Sequence, residues 1–270
     1  MPPAVQTRRR RPRWAVRSSL VAAAALALCC VVVPAHAQTI FDHGFEDGTG
    51  CAWDFVVIAA ETFPTNGAAW PAAWSVAGGV DTADVTGGRG RLRPTPTNYS
   101  LGRMKASTPT RDVEITFTLV FEQQSTQGVG FYVRQNGGYL QQTNPNGQGY
   151  AIFVEGFRGF PRLGLWKEQG GVETELAFLN LAQPYVDGLV YAVRFRAVQQ
   201  DASTTHLYGK VWLASGAEPA GWMVDVADSS VAALQNATGG IVVDSWSSLQ
   251  NPPLTFYTPV DDVAVALACP

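Results

Sequence analysis

Val113-Glu114-Ile115-Thr116-Phe117-Thr118-Leu119-Val120-Phe121-Glu122 is the stretch whose reading decides the fold. At period two, Val113, Ile115, Phe117, Leu119 and Phe121 point one way and Glu114, Thr116, Thr118 and Glu122 the other, which is a strand with one buried face. The pattern returns four times before Leu213. Phe131 and Val133 alternate with Tyr132 and Arg134; Leu163, Leu165 and the stem of Lys167 alternate with Arg162 and Trp166. Tyr191, Val193 and Phe195 alternate with Arg194 and Arg196, and Leu207, Val211 and Leu213 with Tyr208, Lys210 and Trp212. One face builds a core and the other presents Arg, Lys, Tyr and Trp, which predicts an antiparallel two-sheet sandwich with a second surface available to a ligand.

The remainder of the chain agrees. Gly and Pro punctuate short segments at Gly87-Gly88, Gly137-Gly138, Asn144 to Gly149, Gly170-Gly171 and Asn251 to Pro253. Long helical periodicity is absent, and Ser229 to Asn236 is the one place for a turn or two of helix. No linker, charge block or internal repeat divides residues 38–270, so they are expected to form one all-β domain, a jelly-roll sandwich.

Residues 1–37 have the three parts of a signal peptide. Arg8 to Arg11, Arg13 and Arg17 form a basic region, Leu20 to Val33 an apolar one, and Ala35-His36-Ala37 a small-residue cleavage site. Cys29 and Cys30 would suit a lipoprotein, but Leu28 stands where a small residue belongs. No later stretch is apolar for the roughly 18 residues that a membrane span needs, so the expectation is a secreted, periplasmic or cell-surface bacterial protein without a transmembrane segment. Of 19 Lys and Arg, six Arg precede Gln38, leaving 13 against 22 Asp and Glu, a balance of −9. Bulk charge therefore argues against nucleic acid as a partner, and an acidic ligand would need a local basic patch, for which Arg134, Arg194, Arg196 and Lys210 are the candidates. Cys51 and Cys269 survive processing, and in an oxidising compartment the pair is expected to be bridged.

No motif names a reaction. Paired acids flanking a glycosidic bond must sit about 5 to 10 Å apart, and Glu114 and Glu122, eight residues apart on one strand, are too distant. His206 and Tyr208 beside Lys210 and Arg194, with Tyr150 or Tyr132, form a weaker lyase-like set. Nucleophile elbow, phosphate loop and zinc spacing are all missing from the sequence. Sugar stacking is the most economical use of the outward aromatics: Tyr132, Tyr150, Trp166, Tyr208 and Trp212 supply flat faces, and Arg134, Arg194, Arg196 and Lys210 supply donors. The polar segment Gln135 to Gln148 reads as a loop at the rim.

The two ends of the mature sequence also match each other. The start reads Phe41-Asp42-His43-Gly44-Phe45-Glu46-Asp47-Gly48, with Trp53 after it, and the finish Phe256-Tyr257-Thr258-Pro259-Val260-Asp261-Asp262-Val263. With Arg194-Phe195-Arg196, Lys210-Val211-Trp212, Pro219 and Trp222 between them, the chain resembles the concanavalin A-like lectin/glucanase domains, in particular the laminin-G-like jelly rolls of bacterial exported proteins. The resemblance implies a structural calcium ion held by Glu46 with Asp261 or Asp262. It also implies a carbohydrate-binding or surface adhesion module; a polysaccharide-degrading hydrolase or lyase and a structural envelope protein are the alternatives that the fold allows. Neither the glycan nor the oligomeric state is written in a motif.

Overall fold

The alternation at Val113–Val120 is one strand of fifteen in a computed structural model that describes residues 56–96, 101–137, 146–157, 160–249 and 255–268. In chain order the strands are β1 (Val57–Glu61), β2 (Trp74–Gly78), β3 (Val80–Thr86), β4 (Arg89–Pro94), β5 (Leu101–Thr110), β6 (Val113–Val120), β7 (Gln127–Asn136) and β8 (Gln148–Glu155). They continue as β9 (Arg162–Gln169), β10 (Val172–Asn180), β11 (Val190–Gln199), β12 (Thr205–Leu213), β13 (Val224–Asp228), β14 (Gly239–Ser247) and β15 (Thr258–Leu267). Every pairing is antiparallel. One sheet runs β13-β12-β11-β6-β15-β4-β3 with β1 also on β15, and the other runs β10-β9-β8-β7-β14-β5-β2. All described residues belong to one compact unit, Cys51–Pro270, and among them no helix is long and apolar enough to cross a membrane.

The inward residues of β6 are at most 1% exposed and meet the second sheet directly, Phe117 stacking on Phe131 with 4.6 Å between ring centroids. Val193 and Phe195 of β11, Ile152 and Val154 of β8, and Leu163 and Leu165 of β9 complete the same core. Burying each such side chain contributes roughly 1.5–3 kcal/mol. Leu213, also expected inside, is 41% exposed because it ends its strand. Gly87-Gly88 and Gly170-Gly171 each join two strands as two-residue hairpins in which both residues have positive φ, the conformation that favours glycine. The helical expectation at Ser229 to Asn236 reduces to one 3₁₀ turn, Ala232–Leu234. The fold is the two-sheet jelly roll.

Candidate functional site

The outer face of the seven-stranded sheet is built in cross-strand rows. One row runs Arg103, Asp244, Gly130, Phe153, Gly164 across β5, β14, β7, β8 and β9; the next runs Lys105, Val242, Tyr132, Ala151, Trp166. The glycines decide its texture. A Cβ on Gly130 would lie 2.7 Å from the Phe153 ring and one on Gly164 2.6 Å from Trp166 Nε1, and one on Gly128 would collide with the Trp246 indole. Each ring therefore lies down on a glycine. Tyr132 meets Phe153 edge-on at 5.8 Å, and Phe153 meets Trp166 at 5.7 Å. Phe157 stands against Trp246 at 4.2 Å. Tyr132 and Phe153 are buried, while Trp166 and Trp246 are half-buried at the ends of this aromatic shelf.

Beneath one side of the shelf lies a buried charge cluster. Arg103, fully buried, donates from Nε to Asp244 Oδ2 at 2.9 Å, from Nη1 to Glu168 Oε2 at 2.7 Å, and from Nη2 to Tyr132 Oη at 3.0 Å and Glu173 Oε1 at 3.1 Å. The Tyr132 hydroxyl donates to Glu173 as well. Two fully buried carboxyls, Asp244 and Glu168, beside one guanidinium have their ionised forms disfavoured. Burial pushes the Asp244 carboxyl up to about 8, with Glu173 and Glu168 adding to the effect and Arg103 opposing it. Burial also raises Glu168. Burial thus favours the neutral form of Asp244. Its Oδ2 accepts from Arg103, while Oδ1 is buried without a hydrogen-bond partner.

The sequence-derived candidates divide among three places. Tyr132 and Trp166 are on this shelf. Arg194, Arg196, Tyr208, Lys210 and Trp212 are on the outer face of the other sheet, where strand alternation put them, but the basic patch expected there is an ion-pair network. Glu114 takes Arg194 at 2.7 Å and Arg196 at 3.1 Å, and Glu218 takes Arg194 at 2.9 Å and Lys210 at 2.6 Å. Lys210 also lies 4.9 Å from the centre of the Trp222 ring, and the three cations are at most 8% exposed. His206 and Tyr208 stack beside them at 4.1 Å.

Arg134 and Tyr150 correct the reading outright. Tyr150 shares its side of β8 with Ile152 and Val154 and so belongs to the core, its hydroxyl donating to Asp228 Oδ2 at 2.8 Å. Arg134 sits in a bulge of β7 with φ 53°, which breaks the alternation and turns its side chain inward. There it donates to Arg111 O at 2.7 Å, Thr205 Oγ1 at 2.9 Å and Gln199 Oε1 at 3.0 Å, fully buried. The surface patch and the lyase-like set both lose these members.

Asp261 and Asp262 straddle a bulge in β15, with Asp262 at φ 50°. Asp261 Oδ1 is buried without a partner, and burial, with the Asp262 and Glu61 charges, raises its carboxyl; Asp262 is exposed. An orphaned carboxylate oxygen fits the expected hard cation, which makes Asp261 the described residue suited to hold it. Among the described residues no group of three or more His, Cys, Asp or Glu forms a complete ligand set. Glu46, Cys51, Cys269 and the leader lie outside the described residues.

Arg103, Asp244, Glu168 and Trp246 escaped the sequence reading. For Trp246 the signal was the glycine pair of Gly128-Val129-Gly130-Phe131, since a glycine on the outward parity marks a close approach.

No protein-family model matches the chain, and no curated protein matches it by sequence. Solved structures do. A Bacillus subtilis protein of unknown function with a galectin-like fold superposes at TM-score 0.52 and 12% identity, over 78% of this chain and 97% of that one. A legume lectin-like domain from Entamoeba histolytica gives TM-score 0.50 at 11% identity, over 78% and 97%. LamA from Z. galactanivorans, solved with laminaritriose and laminaritetraose, gives 0.50 at 10%, over 78% and 99%. At these identities the likeness is one of fold. The fold is the concanavalin A-like jelly roll of lectins and glucanases.

Proposed function

We propose that the chain is an exported carbohydrate-binding module whose glycan is held at the partly exposed ends of the aromatic shelf on the seven-stranded sheet, Trp166 and Trp246. The observation that carries this is the aromatic shelf, partly exposed at Trp166 and Trp246, flattened onto glycines and bordered by charged side chains. Flat indole faces stack on the apolar faces of pyranose rings, and bordering carboxyls and guanidinium groups bond hydroxyls. Tyr132 and Arg103 fix the shelf from below rather than touch sugar. On the other sheet the cations are committed to Glu114 and Glu218, so Tyr208 and Trp212 form the poorer face. The deciding experiment is a glycan array with the purified chain: reproducible binding of a defined glycan supports the reading, and no bound glycan at micromolar protein removes it.

Hydrolysis is the second reading, favoured by Asp244, whose carboxyl burial pushes toward the neutral form, close to the Glu173 carboxyl. Full burial of Asp244 weighs against it, because a general acid must reach the glycosidic oxygen. Release of reducing ends from any glycan that binds would restore that reading. Calcium belongs to the proposal as a structural ion at Asp261 that, when bound, neutralises a carboxylate otherwise desolvated without a partner.

A further inference from the structure

Beside the charge cluster three strand pairings lose register together. β5 and β14 shift between Gly239 and Ile241, β14 and β7 between Gly240 and Val242, and β7 and β8 between Val133 and Asn136. Bulges of this kind bend a sheet and commonly adjoin binding sites. Here they open a cavity of about 300 Å³ whose lining includes Lys105, Ser107, Gln135, Asn136, Gly239 and Gly240. That volume is at the low end for small-molecule sites, room for one sugar unit rather than a chain. Gly240 lets β14 approach β5 closely beside it: a Cβ there would lie 2.5 Å from Ala106 O and 3.4 Å from Lys105 Cε.

The lining is chemically uneven. Among the described residues, Lys105 and Arg89 are the cations without a carboxylate within 4.0 Å, and only Lys105 lines this cavity. Its ammonium has one hydrogen bond, to Gly137 O at 3.4 Å, although three carboxyls lie in the neighbouring cluster. Those carboxyls are turned toward Arg103, and burial favours the neutral form of Asp244, so they leave the Lys105 charge uncompensated. Gln135, 1% exposed, donates from Nε2 to Asn136 O at 3.1 Å and turns its amide toward Gly149 and Glu168, so it walls the cavity without offering it an open acceptor. An uncompensated ammonium in a cavity of this size calls for a ligand unit with one anionic group.

We infer that this cavity selects a sugar unit bearing a carboxylate, a uronic acid, with Lys105 on the carboxylate. The inference rests on the carbohydrate-binding reading and adds the ligand class. It is tested by calorimetric titration of the purified chain with trigalacturonic acid and, separately, with the neutral galactose trisaccharide. Losing a charge-assisted contact costs about tenfold in affinity. The acidic sugar should therefore bind at least about tenfold more tightly than the neutral one, Lys105→Gln should bring that ratio to about one, Lys105→Arg should restore it, and rising salt should shrink it. Equal affinity for both sugars in the unaltered chain overturns the inference and leaves the binding reading standing. An acidic preference that survives Lys105→Gln overturns the assignment of the site, and absence of binding to either sugar, with no hit on the array, removes both.

Discussion

Asp244 makes stability run against the usual direction of pH. Its carboxyl is held up to about 8 in the folded chain by burial, against an ordinary value of 3.8. Between about pH 4 and 8 the native state therefore binds a proton at this cluster that the unfolded state has released, and stability falls as pH rises. One fully shifted group gives at most about 1.4 kcal/mol per pH unit, and coupling between Asp244 and Glu168 lowers the slope to on the order of 1 kcal/mol per unit. Glu168 and Asp261, both raised, lean the same way. Asp81, Asp201 and Asp228 are lowered, so their contribution is lost only as pH drops below the ordinary carboxylate range, outside this window. Urea unfolding followed by tryptophan fluorescence from pH 5 to 8 should show the midpoint dropping. Asp244→Asn keeps an acceptor for Arg103 and mimics the protonated form, so it should flatten most of the slope and be the more stable protein at pH 8. A wild-type midpoint that is level or rises over this range, or an unchanged slope in the variant, would refute the argument.

Other outcomes follow from the same geometry. Gly130→Ala drives a methyl to 2.7 Å from the Phe153 ring and should destabilise the fold by about 1–3 kcal/mol in urea unfolding. Calcium in the millimolar range should raise the melting temperature relative to chelator, and Asp261→Asn should abolish the rise; at about 100 times its dissociation constant a ligand stabilises by roughly 2.7 kcal/mol, which a thermal scan resolves readily. Thiol titration of the denatured, unreduced exported chain should find almost no free thiol if Cys51 and Cys269 are bridged, and two thiols per chain would show that they are not.

How much of this was legible depended on whether a strand keeps one parity. β6, β11 and β12 do, so their buried and outward residues could be read directly, as could the hairpins at Gly87-Gly88 and Gly170-Gly171. In β7 the alternation holds through Val133 and fails at Arg134, where the positive φ exchanges faces, and nothing in an arginine announces that. β8 is covered on both sides, so Tyr150 to Val154 is an unbroken apolar run that hides which residues face the core. The charge cluster was beyond reach for another reason: Arg103 and Asp244 are 141 residues apart and meet only through the β5–β14 register. The outward cations of β11 and β12 were placed on the correct face, but their commitment to Glu114 and Glu218 depends on pairing that parity alone does not supply.

The account stands most directly on which sheet holds the glycan, and two tryptophans separate the possibilities. On one glycan identified by array, affinity and melting temperature should be measured for Trp246→Ala, on the shelf, and for Trp222→Ala, over the cations of the opposite sheet. Loss of an aromatic anchor costs roughly 1–3 kcal/mol. Trp246→Ala should weaken binding by that amount while the protein remains folded at the assay temperature, and Trp222→Ala should leave the affinity unchanged. The reverse result, binding lost with Trp222 and kept without Trp246, would contradict the central claim.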